Sequence, residues 1–367
     1  MVREAIAAAA LECGRILIGG RFAEALAAMR KAQWLDREEL VRRSGERLTC
    51  LLRHAAANVP FYTEQAARMG LDAARLDAAD LERFPVLCKA GYRSRPAEMF
   101  YAANVPEARR IGRSTSGSTG EPFRFAIDSA ALPVIFASHL FYDSWFGLMP
   151  FDRYLRIAAP PASLPPAADI TPLAARVRSG LMRRAQQWYE GLTQEKIAIW
   201  EVTAERAGQI WRRIERFRPA FIMGYTATLA ALADELRRRG LELSRPVRGV
   251  ITIAETLSPE RRRTIEGYFR APLINRYGLR ELGSWCAQTC AVSPERLHLN
   301  TELVVCEILG DDGAPAAAGE PGRVVLTDLH NYARPFIRYD TGDMAALGGD
   351  ACPCGRGFPL LGPIAGR

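Results

Sequence analysis

The stretch Ser114-Thr115-Ser116-Gly117-Ser118-Thr119-Gly120-Glu121-Pro122 alternates hydroxyls with glycines. Glycine has no Cβ, so the backbone N–H groups of such a loop can close on an anion. The interleaved hydroxyls add donors toward phosphate oxygens. Counting from Gly112 gives G-x-x-x-x-G-S-T. A Walker A loop needs lysine where Ser118 stands, so this is a different loop. The rival reading is a solvated Ser/Gly linker. Against it, the stretch abuts a strand pattern, Phe123 to Ile127, and lies between ordered segments.

Two further clusters could serve the same chemistry. Asn275-Arg276-Tyr277-Gly278-Leu279-Arg280-Glu281 follows an apolar strand and ends on a carboxylate. A carboxylate beside a phosphate loop repels it unless Mg²⁺ bridges the two. The alternative is a strand exit with a surface glutamate. Arg338-Tyr339-Asp340-Thr341-Gly342-Asp343 places an aspartate after a tight turn. There it can accept from ribose hydroxyls or simply serve the turn.

In this order the three motifs resemble the adenylate-forming (AMP-forming) ligase superfamily. The closer likeness is to its phenylacetate–CoA ligase branch and CapK-like relatives. Other phrases carry it too: Asn58-Val59-Pro60-Phe61-Tyr62, Phe84-Pro85-Val86-Leu87-Cys88-Lys89, Gly224-Tyr225-Thr226-Ala227, Ala254-Glu255-Thr256-Leu257 and Cys352-Pro353-Cys354-Gly355-Arg356. The resemblance implies ATP-dependent activation of an aryl or other biosynthetic carboxylic acid to acyl-AMP and pyrophosphate. Transfer to CoA, a carrier-protein thiol or an amine would follow.

The resemblance also implies roles. Ser116, Gly117, Ser118, Thr119 and Gly120 would hold the departing phosphates, with Ser116 and Thr119 acting in catalysis. Ala254, Glu255, Thr256, Asn275, Arg276, Tyr277 and Gly278 would line the nucleotide. Glu281 would bind Mg²⁺, Asp343 would grip the ribose, and Arg367 would stand at the hinge. Tyr142, Tyr225 and Gly278 would meet the acyl group. Glu121 stands where many members have lysine. A C-terminal domain bearing a catalytic lysine is expected of the superfamily and is absent from this sequence. None of Lys31, Lys89 or Lys196 takes that place by position. A module that binds nucleotide without turnover is the alternative function.

The same branch carries a cysteine, a histidine and a C-x-C pair that can bind zinc, matched here by Cys290, His298, Cys352 and Cys354. Zn²⁺ favours four tetrahedral S/N ligands. Cys286 competes with Cys290 for that role, and ordinary buried thiols are the bland alternative. Phe141, Tyr142, Trp145 and Phe146 share one helical segment. Such a cluster either lines an aryl site or, more commonly, packs in a core.

These motifs need an α/β scaffold. Residues 1–80 read as helical, with Leu40, Val41, Leu48, Leu51 and Leu52 at helical spacing up to Asn58-Val59-Pro60, and a second helix starts near Thr63. Residues 85–110 read as irregular. A helix is expected over 130–146 and a proline-rich loop over 158–175. Helices at 203–215, 226–239 and 258–269 then alternate with apolar strands at Ala220–Met223, Val247–Ala254 and Leu273–Asn275, which implies a parallel sheet. Leu303–Ile308, Gly322–Leu326 and Pro335–Tyr339 suggest a small antiparallel β portion. The fold class is therefore α/β, with layered sheets and helices and that β portion near the C-terminus. We divide it into a helical part (1–110), an ATP- and acyl-binding core (111–297) and a β portion with the zinc ligands (298–367).

The 367 residues carry 49 basic and 41 acidic side chains, a net charge of +8. The charges of both signs are interspersed, which favours arginine-rich solvated surfaces over a nucleic-acid partner. Eight cysteines are too few for a disulfide scaffold in a chain of this length. With no membrane-length apolar run, a cytoplasmic protein with no membrane partner is expected. A homodimer is the candidate assembly.

Overall fold

A computed structural model of the chain describes residues 20–115, 123–158, 191, 193–199, 201–349 and 351–366. Two helices come first, α1 (Gly20–Ala32) and α2 (Arg37–Asn58). Asp36 fixes the start of α2: its carboxylate accepts the Glu39 N–H at 2.8 Å, a donor with no partner inside the helix. The Val59-Pro60 step ends it, because a residue before proline avoids helical backbone. Pro60 then opens α3 (Pro60–Arg68), three residues before the expected Thr63, since proline suits the first helical position. Leu40, Leu48, Leu51 and Leu52 are buried. Val41 is exposed, one residue and about 100° around the helix from Leu40.

Within the stretch read as irregular, Lys89–Arg93 forms a short helix, α4. Next, β1 (Arg110–Ser114) and β2 (Arg124–Asp128) pair antiparallel, so β1 occupies what reads in sequence as loop. Then come α5 (Leu132–Ser144), β3 (Tyr154–Ala158), β4 (Gln194–Ala198), α6 (Ala204–Phe217), β5 (Phe221–Tyr225), α7 (Thr226–Arg238), β6 (Gly249–Ile253), α8 (Pro259–Phe269) and β7 (Leu273–Gly278). The five strands from β3 to β7 lie parallel in the order β4-β3-β5-β6-β7. The expected 158–175 loop lies outside the described residues apart from Ala158.

Beyond β7 the pairing turns antiparallel through β8 (Trp285–Thr289) and β9 (Leu297–Leu299). A separate three-stranded antiparallel sheet follows: β10 (Val304–Leu309), β11 (Gly322–Asp328) and β12 (Tyr339–Ala345). The chain then returns to the large sheet as β13 (Leu347–Gly348) and β14 (Leu360–Leu361), beside β9. Among the described residues the large sheet has nine strands. The expected strand at Pro335–Tyr339 is displaced, since β12 only starts at Tyr339. Pro335 has no N–H for a ladder, and Arg338 takes a left-handed backbone at φ 48°.

Alternation along the strands sends residues to two faces. Leu155, Ile157, Ile222, Val250 and Leu273 pack under α6, α7 and α8. Phe221, Met223, Ile251 and Ile274 pack on the other side with Phe146 and Leu148, which follow α5. A larger core joins the N-terminal helices to β8–β12. At its centre Arg334, 1% exposed, lies over the rings of Tyr92, Phe100, Phe123 and Phe336 at 5.2–5.8 Å. Among the described residues no helix is long and apolar enough to cross a membrane.

The tail is docked on the N-terminal part. Gly357 donates its N–H to the Gln33 carbonyl at 2.8 Å, and Arg356 bonds the Gln33 side chain. A Cβ at Gly357 would stand 1.8 Å from the Leu35 carbonyl oxygen, a backbone atom that cannot yield cheaply. Gly357→Ala should therefore cost at least about 2 kcal/mol. The check is the urea midpoint, and an unchanged midpoint would show that the tail is not seated this way.

Candidate functional site

Open parallel sheets bind ligands at the carboxyl ends of their strands. Here Tyr225 ends β5, Ala254-Glu255-Thr256 follow β6, and Asn275 to Gly278 form the last four residues of β7. The fold brings these sequence-predicted positions to one edge. Ala254 takes φ 66°, a costly backbone for a residue with a Cβ. Glu255 beside it turns back to α7: its carboxylate accepts the Ala227 N–H at 2.6 Å, and its carbonyl accepts the Thr226 hydroxyl at 3.3 Å. A carboxylate is well placed at the positive end of a helix. The last described residues pass the same edge. Ala365 bridges Met344, and a Cβ at Gly366 would lie 3.2 Å from the Thr256 Oγ1. Arg367 is outside the described residues.

Across the edge, Asp343 on β12 accepts the Tyr277 hydroxyl at 2.9 Å. Burial, followed by the charge of Asp343, raises the phenol pKa well above its ordinary value, so it stays a donor. Asn275, half-buried, sits 3.4 Å from the Thr252 hydroxyl through its Oδ1.

Two predicted residues are elsewhere. Arg276 is 2% exposed and turned into the core, with Nη2 2.7 Å from Asp143 and Nε donating to Gln288. Period-two alternation puts it on the opposite face of β7 from Asn275 and Tyr277, so its guanidinium is turned away from their side chains. Tyr142 is fully buried, and its hydroxyl donates to the carbonyls of Cys286 and His298 at 3.2 and 2.9 Å. It braces β8 and β9. Phe141 is core as well, whereas Phe146 joins the cluster between α5 and the sheet.

The hydroxyl-rich loop is seen through its base. Thr115 donates its N–H to the Phe123 carbonyl at 3.0 Å, closing the two flanks on each other. Ser116, Gly117, Ser118, Thr119, Gly120 and Glu121 lie outside the described residues. Arg280 reaches the Ser114 carbonyl at 3.3 Å, which ties this base to the turn carrying Glu281.

Glu281 is 3% exposed. Its Oε1 accepts the Tyr339 hydroxyl at 2.8 Å and lies 3.0 Å from Lys89 Nζ. Sequence reasoning missed Lys89. The structure delivers it by pairing Leu87 with the start of β12: Leu87 N–H donates to Arg338 O, and Asp340 N–H donates to Leu87 O, both at 3.0 Å. Arg338 clamps the same segment through the Glu82 and Phe84 carbonyls while ion-paired to Glu307. The available signal was composition, since a lysine is rare in a chain that otherwise uses arginine. Among the described residues both contacts fall on Glu281 Oε1, and its other oxygen is a hard ligand of the kind Mg²⁺ takes.

A second cluster gathers the sulfur ligands. The ligand atoms of Cys290, His298, Cys352 and Cys354 all lie within 4.8 Å of one another. Cys290 follows β8, His298 sits in β9, and the Cys352–Cys354 turn precedes β14, which pairs with His298. Two thiolates on a tetrahedral zinc at about 2.3 Å stand about 3.8 Å apart. The Cys290 and Cys352 sulfurs are 3.7 Å apart. Burial, then Arg356 and Arg296, pushes the His298 pKa down to about 4, so its imidazole is neutral as a metal ligand must be. Its Nδ1 is buried without a hydrogen-bond partner among the described residues. The donor set therefore fits a zinc ion. Cys286 is outside the cluster, with its thiol on the Ser284 carbonyl and its pKa pushed up to about 12 by burial.

Comparison with known proteins agrees with this architecture. The family profile described as "AMP-binding enzyme" matches residues 170–331. The phenylacetate–coenzyme A ligase of Thermus thermophilus is 27% identical over 349 residues, covering 91% of this chain and 71% of that protein. The Escherichia coli phenylacetate–coenzyme A ligase is 28% identical over 316 residues, covering 84% and 68%. A solved 2-hydroxyisobutyryl-CoA ligase in its postadenylation state shares the fold at a TM-score of 0.73 and 20% identity, covering 92% of this chain and 70% of that one. The chain is thus similar to AMP-binding enzymes and to phenylacetate–coenzyme A ligases, and it shares its fold with the solved ligase.

The Lys89–Glu281 pair is testable alone. Lys89→Met leaves a buried carboxylate with Tyr339 as its one partner among the described residues, and should cost about 1–3 kcal/mol, discounted because Lys89 is partly exposed. Adding Glu281→Gln should recover most of that loss. Additive losses in urea titrations would deny the coupling.

Proposed function

We propose that this chain adenylates a carboxylic acid. The carboxylate oxygen attacks the α-phosphorus of ATP, the bond to the β-phosphate oxygen breaks, and acyl-AMP and pyrophosphate result. The carrying observation is the convergence at one sheet edge of the Tyr277–Asp343 pair, the buried Glu281 and the base of the hydroxyl-rich loop. This chemistry needs in-line positioning and charge neutralisation more than covalent help.

In this reading Ser116, Gly117, Ser118, Thr119 and Gly120 hold the departing phosphates, with Ser116 and Thr119 as hydroxyl donors. Ala254, Glu255, Thr256, Asn275, Tyr277 and Gly278 line the base, Asp343 binds the ribose, and Arg367 flanks the nucleotide. Tyr225 and Gly278 border the acyl group. Glu281 would hold the Mg²⁺ that accompanies ATP, an ion that neutralises phosphate charge. Lys89, within 3.0 Å of that carboxylate, brings a cation to the same side, which matters because Glu121 supplies none. Cys290, His298, Cys352 and Cys354 hold a structural zinc that ties β8 and β9 to the tail. The likeness to phenylacetate–coenzyme A ligases supports CoA or another thiol as acceptor. The protein would act in the cytoplasm.

ATP–pyrophosphate exchange with a panel of aryl and aliphatic acids tests the reading. Acid-dependent exchange is expected, falling about 100-fold in Glu281→Gln. Tight ATP binding with no exchange for any acid would instead favour a nucleotide-binding module. For the metal, about one zinc per chain is expected by elemental analysis, lost in Cys354→Ser together with a lowered melting temperature. A metal-free protein of equal stability would remove the zinc from the account.

A further inference from the structure

At the amino ends of the parallel strands, away from the edge that gathers Tyr225 and Ala254, lies a cavity of about 380 Å³. That volume is within the range of small-molecule sites. Three loops line it, and each leads straight into a strand: residues 151–153 into β3, 218–220 into β5 and 244–248 into β6. The five-residue strands β5 and β6, each about 13 Å long, separate it from Tyr225 and Ala254.

Four guanidiniums line the cavity, those of Arg153, Arg218, Arg245 and Arg248, against two carboxylates, Asp152 and Glu215. The carboxylates are engaged. Asp152 accepts from Arg248 at 2.7 and 3.1 Å, and Glu215 accepts the Ser244 N–H at 2.9 Å and the Ser244 hydroxyl. Arg153 donates to the Phe217 carbonyl at 2.9 Å, a neutral acceptor at the end of α6. Arg218 and Arg245 are exposed, and neither side chain has a hydrogen bond or ion pair among the described residues. On the same lining Phe151 keeps 50% of its surface exposed, and Pro219 and Pro246 add apolar wall.

We propose that this cavity binds a phosphate monoester with an aromatic body. Four guanidiniums against two carboxylates leave two positive charges in excess. A phosphate monoester brings nearly two negative charges at neutral pH, on three oxygens that suit guanidinium forks. A single carboxylate brings half that charge and two oxygens. The exposed Phe151 ring gives an aromatic body a face to pack on. A nucleoside monophosphate and the phosphate ester of another aromatic compound share this chemistry. The site is independent of the adenylating reading, because it lies at the opposite end of the strands.

Calorimetry on the full chain tests this with phenyl phosphate, AMP, inorganic phosphate, benzoate and phthalate. Phenyl phosphate should bind about 10-fold or more tighter than inorganic phosphate, benzoate or phthalate, and more weakly as salt rises. The double variant Arg218→Gly, Arg245→Ser removes two exposed cations. Arg218 sits at φ 51°, a backbone that glycine takes at no cost, so the fold is kept. Phenyl phosphate should lose about 10-fold or more in affinity there. Phe151→Ala should bring phenyl phosphate down to the affinity of inorganic phosphate. AMP losing a site in the double variant would identify a nucleotide as the occupant. AMP binding unchanged while phenyl phosphate is lost would identify another aromatic ester. Three results would overturn the site: phenyl phosphate with no Kd below about 1 mM, phthalate binding equally well, or an affinity that the double variant leaves unchanged. The wild-type panel decides even where a variant does not fold.

Discussion

A buried carboxylate cannot be left alone in a protein interior, and Glu281 is answered from two distant parts of the chain. Tyr339 reaches it from β12 and Lys89 from the N-terminal part. Taking a carboxylate out of water costs several kcal/mol unless it is paired and hydrogen-bonded. That requirement holds three segments in register: the turn after β7, the start of β12 and the Leu87–Lys89 segment. Arg338 reinforces it by gripping the Glu82 and Phe84 carbonyls. The edge proposed for the nucleotide inherits its geometry from this junction, because Arg280 beside Glu281 also ties the base of the hydroxyl-rich loop.

The sulfur cluster does comparable work at the other end of the large sheet. Cys290 and His298 belong to the β8–β9 region, while Cys352 and Cys354 come from the returning tail. Arg356 lies 4.1 Å from the Trp145 ring centre and bonds Gln33, so the same turn touches the segment after α5 and the one after α1. Tyr142, expected at the acyl group, supports this region from below. Its hydroxyl donates to the Cys286 and His298 carbonyls, so it serves packing between α5 and strands β8 and β9.

The alternating helices and strands from 203 to 278 were legible because local pattern and buried position coincide there. Ile222 and Val250 point to one layer and Met223 and Ile251 to the other, and runs apolar on both faces mark central parallel strands. The site was less legible where a side chain's direction depended on strand parity. The motif names Arg276 and Tyr277 side by side, but the pleat sends them to opposite faces. Lys89 escaped notice because its partner lies 192 positions away by the numbering and meets it only through the Leu87–Tyr339 bridge. Pro335–Tyr339 looked like a strand from its apolar content, but its proline and the left-handed Arg338 postpone pairing to Tyr339. The four zinc-type ligands were legible as types, and the choice between Cys286 and Cys290 came only from the distances.

If the carboxylate of the acid attacks the α-phosphorus, one of its oxygens must end on AMP once the acyl group has moved on. The direct measurement uses an acid labelled with ¹⁸O in both carboxylate positions, with ATP, Mg²⁺ and hydroxylamine as acceptor, and mass spectrometry of the products. Adenylation at this edge predicts AMP carrying one ¹⁸O together with the acyl hydroxamate. Unlabelled ADP with ¹⁸O in orthophosphate would mean attack at the γ-phosphorus and would contradict it.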